Sequence, residues 1–239
     1  MPLNKSRGQM YPWVSHMHSH LRGKCPHGCS YCYVQAHERR WNTGAFAGPL
    51  RLDESQLRVR YGKGKSIFIE HQNDLFAEEV PERFIRQIAD HCCQYRENQY
   101  VFQTKNPLRL AQTLGLPNDC LVGVTVETNR THPQMGRTPS PENRMLGCLL
   151  LKEKLHPSRT FITIEPIMDF DLAVLLGWLG SIGPGFVNIG ADSKGHKLPE
   201  PKPAKIAKLI EGIGKLGIEI REKHNLGRLL GDEMPEGKP

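Results

Sequence analysis

The stretch that decides the fold is SIFIEHQNDLFAEEVPERFIRQIADHCCQYR, residues 66–96. It begins with the short apolar run Ser66 to Glu70, which is typical of a buried strand. After a polar loop, the segment Pro81 to Arg96 predicts a helix, because Pro81 suits a first turn and apolar residues recur at helical spacing at Phe84, Ile85, Ile88 and Ala89. The stretch therefore predicts one β/α unit.

The same unit recurs along the chain. Further strands are predicted at Trp13 to His20, Tyr100 to Thr104, Cys120 to Glu127, Thr160 to Glu165, Phe186 to Ile189 and Gly217 to Ile220. Helices are predicted at Tyr33 to Trp41, Leu108 to Leu114, Pro141 to Leu155 with Ser140 as N-cap, Leu172 to Ile182 and Pro203 to Leu216. Six β/α repeats and a closing strand indicate an α/β protein with a partial or complete (β/α)6-type barrel.

Size and composition fit one such barrel. The chain has 239 residues with 38% hydrophobic content, enough for a sizeable core. We expect a single domain over residues 1–230 and a solvated tail over 231–239, which is rich in charge, Gly and Pro. The sequence contains neither an apolar run long enough to span a bilayer nor the apolar core of a secretion signal, so we expect a cytoplasmic protein.

Charge and cysteine usage narrow the function. The formal net charge is +7, which suits a polyanionic partner, although many basic proteins bind no nucleic acid. Three of the seven cysteines fall within residues 25–32, and the others (Cys92, Cys93, Cys120 and Cys148) lie scattered in apolar segments. In a reducing compartment this pattern favours metal ligation at the cluster and buried thiols elsewhere, rather than disulfides.

The motif Cys25-Pro26-His27-Gly28-Cys29-Ser30-Tyr31-Cys32 places three thiolates in one loop. Soft sulfur donors suit an iron-sulfur centre, and three of them can hold three corners of a cubane while its fourth iron stays open to a ligand. The alternative is a structural zinc site whose fourth ligand is His27 or one of His16, His18 and His20. Only one C-x-x-C pair occurs, which favours iron and sulfur.

This motif resembles that of the radical S-adenosylmethionine superfamily, in which three and then two residues separate the cysteines and an aromatic residue precedes the last one. The resemblance implies a 4Fe-4S cluster held by Cys25, Cys29 and Cys32, and S-adenosylmethionine chelated by the open iron. It also implies reductive cleavage to a 5′-deoxyadenosyl radical that abstracts hydrogen, with an electron donor such as a flavodoxin or ferredoxin. Tyr31 takes the aromatic position, near the adenine.

A narrower resemblance runs from about Cys25 to about Asp192. It rests on the order of six segments, which are 66–70, Asn73-Asp74-Leu75-Phe76, Val80-Pro81, Gln103-Thr104-Lys105-Asn106-Pro107, Gly123-Val124-Thr125-Val126-Glu127 and Glu165-Pro166. Together they are similar to a phage-associated family described as a domain of unknown function. Gly190-Ala191-Asp192-Ser193 replaces the Gly-Gly-Glu-Ser stretch expected there, which puts any inherited substrate preference in doubt.

Polar residues at the carboxyl ends of parallel strands are candidate site residues, because the loops of a barrel converge there. Cofactor contacts are predicted from Asn73 and Asp74, from Gln103, and from Thr125 and Glu127. The competing roles are helix capping for the first pair and exposed strand ends for the others. Lys105 suits a carboxylate or phosphate, or is simply solvated. Glu165 is predicted to bind a substrate amine as a catalytic residue, or to be ion-paired.

Three functions follow from these residues. The first is a radical enzyme acting on a nucleobase or an amino-acid-decorated nucleoside, such as a radical isomerase in thymidine hypermodification of phage DNA in the host cytoplasm. The second is a zinc-dependent hydrolase that uses His16, His18 and His20, which alternate along the first strand, with the cysteines as a structural zinc site. The third is a nucleic-acid-binding zinc module without catalysis, for which the repeats provide far more scaffold than is needed.

Overall fold

A computed structural model describes residues 3–8 and 10–231. Its strands are β1 (Asn4–Lys5), β2 (His16–His18), β3 (Leu21–Arg22), β4 (Arg51–Leu52), β5 (Ser66–Ile69), β6 (Gln99–Thr104), β7 (Leu121–Thr125), β8 (Thr160–Ile164), β9 (Phe186–Ile189) and β10 (Glu219–Glu222). Its α-helices are α1 (Tyr33–Trp41), α2 (Glu82–Cys93), α3 (Pro107–Gln112), α4 (Pro141–Lys154), α5 (Leu172–Ile182), α6 (Pro203–Lys215) and α7 (Gly227–Leu230). Of the predicted tail, residues 232–239 lie outside the described residues.

One sheet of eight strands forms the scaffold, in the order β1-β2-β5-β6-β7-β8-β9-β10. The pairs from β2 to β10 are all parallel, and β1 adds to the edge of β2 in the antiparallel sense. Helices α2 to α6 connect successive parallel strands. Within residues 3–8 and 10–231, β1 and β10 are the two open edges. The prediction of an α/β barrel is therefore confirmed, in its partial form.

The predicted elements agree with the structure except at a few ends. The closing strand begins at Glu219 rather than Gly217, because α6 ends in a turn that Gly217 completes with a φ of +72°. The antiparallel pair of β3 and β4, which α1 separates along the chain, and the edge strand β1 were not predicted from the sequence. Ser140 caps α4 as predicted, since its side chain accepts a hydrogen bond from the Asn143 amide.

Within the described ranges 3–8 and 10–231, no helix has both the length and the apolar character needed to cross a bilayer.

Two apolar layers lie on opposite faces of the sheet. The larger one packs the helices against the outer face and includes Val122 and Val124 of β7. The smaller one fills the concave face and consists of Tyr11, Val14, Phe68, Val101, Phe161 and Phe186. Alternate residues of each strand enter opposite layers, as the pleat requires. On the concave face, the next inward-facing positions toward the carboxyl ends of the strands are polar. They are Gln103, Thr125, Thr163 and Asn188.

Gly123 of β7 makes room for the aromatic layer. A Cβ built there would lie 2.2 Å from Cζ of Phe161. Changing Gly123→Ala is therefore expected to overpack the interior and to lower the free energy of unfolding by about 1–3 kcal/mol, measured by urea denaturation. The control is Gly177→Ala in α5, where nothing lies within 4 Å of the added Cβ. This change should raise stability by about 0.5–1 kcal/mol through helix propensity. Equal effects at both glycines would contradict the overpacking.

Candidate active site

The three motif cysteines lie in the loop that leads into α1. Cys32 is the N-cap of α1, Cys29 is buried, and Cys25 is half-buried. Burial, with a smaller contribution from the charge of Asp74, raises the pKa of the Cys25 thiol to about 12. Burial likewise raises the pKa of Cys29. Thiols in such surroundings form stable thiolates only when a metal neutralises their charge.

The segment 133–137, which follows β7, holds the cysteine loop from one side. The Ser30 amide donates to the Gln134 carbonyl at 2.9 Å, and the Arg137 amide donates to the His27 carbonyl at 2.7 Å. The Arg137 guanidinium donates twice to the Pro26 carbonyl, at 2.8 and 3.0 Å. These contacts hold the loop in place without a ligand. They were not predicted from the sequence, because the partners are about a hundred residues apart.

Asp74 holds the cysteine loop from the other side. Its carboxylate accepts hydrogen bonds from His27 Nε2 at 2.8 Å, Thr104 Oγ1 at 2.7 Å, the Lys105 amide at 2.7 Å and the Phe76 amide at 3.0 Å. Burial acts to raise the pKa of Asp74, but His27 and these hydrogen bonds outweigh it, and the net pKa is lowered. Asp74 thus links the β5 loop, the β6 loop and the cysteine loop. Its predicted contact with the cofactor stays a prediction.

Asn73 differs from its neighbour because one of its polar atoms has no partner. The side chain is 7% exposed, and its Nδ2 donates weakly to the Gly23 carbonyl at 3.5 Å. Its Oδ1 is buried and accepts no hydrogen bond from residues 3–8 and 10–231. An unpaired buried acceptor beside the cysteine loop is costly unless a ligand donor satisfies it. Asn73 therefore fits a role in binding an ammonium or amine.

Glu127 is the centre of a buried charge cluster beside Tyr31. Its carboxylate, fully buried, accepts hydrogen bonds from the Tyr31 hydroxyl, Lys105 Nζ and Arg144 Nη1. Burial acts to raise the pKa of Glu127, but the charges of Arg144 and Lys105 prevail and lower it to about 2. Lys105 Nζ also lies 5.3 Å from the centroid of the Tyr31 ring. The structure therefore brings predicted residues Tyr31 and Glu127 together, and gives Lys105 a carboxylate partner.

A chain of polar groups crosses the concave face above the aromatic layer. Gln103 Nε2 donates to Thr125 Oγ1 at 2.9 Å, and the Tyr11 hydroxyl lies 2.8 Å from both Gln103 Oε1 and Thr163 Oγ1. Asn188 Nδ2 reaches Thr163 Oγ1 at 3.3 Å. The predicted residues Gln103 and Thr125 thus line the interior, within one network. Tyr11 was not predicted, because it precedes the first strand by several residues.

Glu165 lies at the carboxyl end of β8 and is ion-paired. Lys223 Nζ lies 2.6 Å from Oε2, and Asn225 Nδ2 donates to Oε1 at 3.0 Å. Gly190 allows this close approach, since a Cβ there would lie 2.8 Å from Oε1. Of the two predicted roles, the ion-paired one is present, and binding of a substrate amine would have to compete with Lys223.

Two of the three first-strand histidines lie together, since the rings of His18 and His20 have centroids 4.4 Å apart. β2 ends at His18, so His20 leaves the strand, and His16 is half-exposed and contacts Ser15. His20 is held by Glu70 at Nδ1 (2.7 Å) and by His91 of α2 at Nε2 (2.9 Å), which puts it on the helix side of the sheet. Within the described residues, no three His, Cys, Asp or Glu side chains are close enough to bind a single metal ion. The structure therefore brings His18 and His20 of the predicted set together, and places His16 apart from them.

The surroundings of the cysteine loop suit an iron-sulfur cluster with a bound ligand. Cys29, Cys32 and Tyr31 pack with Met135, Met168 and Leu198, which come from the loops after β7, β8 and β9. This apolar shell covers Cys29 and packs against Cys32, and thiolates are the donors that such clusters use. Together with the unpaired Asn73 Oδ1, three thiols of the right chemistry fit the cluster and a small ligand that carries a donor.

Comparison with known proteins was made on sequence and on structure. A family model described as "Protein of unknown function (DUF5131)" matches residues 12–174, more than half of the chain. The chain belongs to this family. Comparison with curated proteins gave no significant match. The family model covers the cysteine loop, β5 to β8 and the Glu127 cluster, so most of the candidate site lies within the shared region.

Similar solved structures identify the fold. The C140S mutant of spore photoproduct lyase is similar with a TM-score of 0.61 at 10% identity, covering 90% of this chain and 79% of that chain. The lyase complexed with dinucleoside spore photoproduct gives 0.61 at 9% identity with the same coverage. SuiB of Streptococcus suis gives 0.53 at 9% identity, covering 95% of this chain and 54% of that chain. These are radical S-adenosylmethionine barrel proteins, and this chain has their fold.

Arg144 is a further site residue, besides Tyr11 and Arg137, that was not predicted from the sequence. It lies in α4 and is 0% exposed, and its Nη1 donates a hydrogen bond to Oε2 of Glu127. One signal was present, because Arg144 shares the buried stripe of α4 with Gly147, Cys148 and Leu151. An arginine in an apolar stripe needs a buried acceptor, and Glu127 at the end of a predicted strand was available.

Proposed function

We propose that this protein is a radical S-adenosylmethionine enzyme whose cluster is held by Cys25, Cys29 and Cys32. The observation that carries the proposal is the preformed three-thiol loop at the carboxyl side of a radical S-adenosylmethionine barrel, held by Asp74 and by segment 133–137. A form of the similar spore photoproduct lyase contains bound AdoMet and a dinucleoside spore photoproduct (TM-score 0.59, 9% identity). That ligand pair supports the same cofactor here.

The residues around the loop have separate roles in this proposal. Cys25, Cys29 and Cys32 bind three irons, and Asn73 Oδ1 accepts a hydrogen bond from the methionyl ammonium of the cofactor. Tyr31, oriented by Glu127, packs near the adenine. Gln103 and Thr125 are positioned for hydroxyl groups, and Glu165 with Lys223 is positioned for polar groups of the substrate. The cluster, once reduced by a flavodoxin or ferredoxin, supplies the electron that cleaves the cofactor.

The proposed substrate is a nucleobase or an amino-acid-decorated nucleoside in DNA, with a radical isomerisation in thymidine hypermodification as the specific reaction. The net charge of +7 and the polar interior above the aromatic layer support a nucleic-acid substrate. Moving an aminoacyl group on an unactivated carbon requires hydrogen abstraction, which acid-base side chains do not perform. The base would leave the stack to reach the barrel interior. A phage-encoded protein would act in the host cytoplasm.

The decisive experiment is electron paramagnetic resonance of anaerobically reconstituted, dithionite-reduced protein, with and without S-adenosylmethionine. We expect a cluster signal that changes shape when the cofactor binds, because the open iron gains ligands. Iron and sulfide analysis of the same sample is the control for cluster content. A colourless protein, or a signal indifferent to the cofactor, would refute the proposal.

The substrate assignment has its own test. Reduced enzyme and cofactor are incubated with DNA that carries the modified thymidine, and 5′-deoxyadenosine is measured by chromatography. Formation no faster than the background without DNA would refute this substrate and leave the radical chemistry intact. The zinc hydrolase gains no support from the fold, since His20 is used by Glu70 and His91.

A further inference from the structure

A cationic cavity of about 370 Å³ lies at the open edge of the sheet, between β1 and the loops after β2 and β5. Asn4 and Met17 line it and face each other directly in the β1–β2 ladder. Ser19 and His71 line it from the carboxyl ends of β2 and β5. Met17 also packs against the aromatic layer of the concave face. The cavity therefore lies at the edge of the sheet, outside the cysteine site, with Met17 between it and the aromatic layer.

The charged residues that line this cavity all have the same sign. They are Lys5, Arg7 and Arg22, and the described lining includes no Asp or Glu. Arg22 donates to the Ser19 and Leu21 carbonyls and lies 3.6 Å from Asp53, so its charge is partly offset. Within residues 3–8 and 10–231, Lys5 and Arg7 have no carboxylate within 4.0 Å and are exposed. Two or more cations without counterions favour an anionic ligand.

A second cavity differs in the charge of its lining, so an all-cationic lining is not common to both cavities. It is larger, about 620 Å³, and also includes Arg22, but Asp53 and Glu54 line it beside Arg51. Mixed charge does not select an anion. In the smaller cavity the remaining lining groups are neutral, since burial lowers the pKa of His18 to about 3 and that of His71 to about 4. Only the three cations contribute charge there.

Hydrogen-bonding groups in the cavity suit phosphate oxygens and the atoms near them. Ser19 Oγ lies 3.0 Å from His71 Nδ1, and the side chains of Gln56 and Gln72 also line the space. His18 is 4% exposed, and its Nε2 is buried without a partner among residues 3–8 and 10–231. An unpaired nitrogen of this kind would gain a partner from a ligand hydroxyl or amine.

From these observations we infer that this cavity binds phosphate groups of a polynucleotide, and that Lys5, Arg7 and Arg22 hold the strand whose base enters the barrel. The inference rests on the proposed function for its reason, because a nucleic-acid substrate needs its backbone anchored beside the interior. Phosphate contacts position the strand, while the concave face is left to read the base. In this inference the cavity holds one part of the backbone, and the neighbouring nucleotides extend along the open edge.

The test measures binding without turnover. Full-length protein is titrated against a fluorescein-labelled oligothymidylate of about 12 nucleotides, and anisotropy is recorded over a range of salt concentrations. For Lys5→Ala/Arg7→Ala we expect affinity to fall by about tenfold or more, and the slope of log K against log salt to decrease by about 1.4, since each single-strand phosphate contact contributes about 0.7. The matched control is Lys63→Ala/Lys208→Ala, which removes the same charge from exposed positions outside the cavity.

The outcomes separate the two proposals. Unchanged affinity in the cavity variant, or an equal loss in the control, would overturn the inference. So would equally tight binding of thymidine 5′-monophosphate, or a variant defect confined to anionic phosphatidylserine vesicles. If the cavity variant alone loses the oligonucleotide while wild-type protein assembles no cluster, the cavity inference holds and the radical enzyme is refuted. If the cluster forms and cleaves the cofactor while Lys5→Ala/Arg7→Ala binds normally, only the cavity inference fails.

Discussion

Replacing Cys25, Cys29 or Cys32 singly by alanine is expected to abolish cluster assembly and all formation of 5′-deoxyadenosine. Each thiolate holds one iron, and a cubane left with two protein ligands is not retained. The structure adds that Cys92, Cys120 and Cys148 are buried in the outer layer, away from the cysteine loop, and that Cys93 lies at the end of α2. Iron and sulfide content per chain after anaerobic reconstitution, with the visible absorption, is the measurement.

The matched controls are Cys92→Ala and Cys148→Ala. Both remove a buried thiol from a helix, at a stability cost on the order of 1 kcal/mol, and neither is expected to change iron content. Comparable iron loss in all five variants would show that the ligand assignment is wrong and that alanine acts through stability. Oligothymidylate binding by the Cys29→Ala protein provides a check on folding that does not depend on the cluster.

The sequence predicted the scaffold because its signals are local. Each β/α unit is specified by alternation or helical spacing within about 15 residues, and every parallel strand of the sheet was predicted, with shifts of a few residues at the ends. The cysteine motif is local for the same reason, since its spacing lies within one loop. The ends of helices and strands depend on the residues that form the turns. Gly217 completes the turn that ends α6, so the last strand begins at Glu219 rather than at Gly217.

What surrounds the cysteine loop depends on contacts between distant parts of the chain. The Tyr31 hydroxyl and Glu127 are 96 positions apart, and Arg137 reaches Pro26 across 111. No pattern in one sequence encodes such a pair. The sequence did show that polar residues collect at strand ends, but whether Asp74 faces a ligand or His27 was decided only by packing. Of the three alternating histidines, His18 and His20 lie together, whereas His16 contacts Ser15 and β2 ends at His18.

The second large effect is expected at Arg144, whose guanidinium is completely buried. It bonds Glu127, the Thr125 carbonyl at 2.9 Å and the Pro139 carbonyl at 2.9 Å. Arg144→Met leaves a buried carboxylate with one cation instead of two and leaves two carbonyls unpaired. Removing one partner of a buried ion pair costs about 3–5 kcal/mol. We expect a loss of this size in the free energy of unfolding, measured by urea denaturation.

Two further variants distinguish the buried pair from a general effect of losing an arginine. Arg83→Met removes an exposed arginine from α2 and should change stability by less than about 0.5 kcal/mol. Arg144→Lys keeps the charge but loses the fork that reaches two carbonyls and Glu127 together, so an intermediate loss is expected. Arg144 is the largest of the charges that lower the pKa of Glu127, so Arg144→Met leaves Lys105 as the remaining cationic partner of that carboxylate. A wild-type unfolding midpoint for Arg144→Met would mean that Lys105 alone neutralises Glu127, and that the helix side of the site tolerates an empty position.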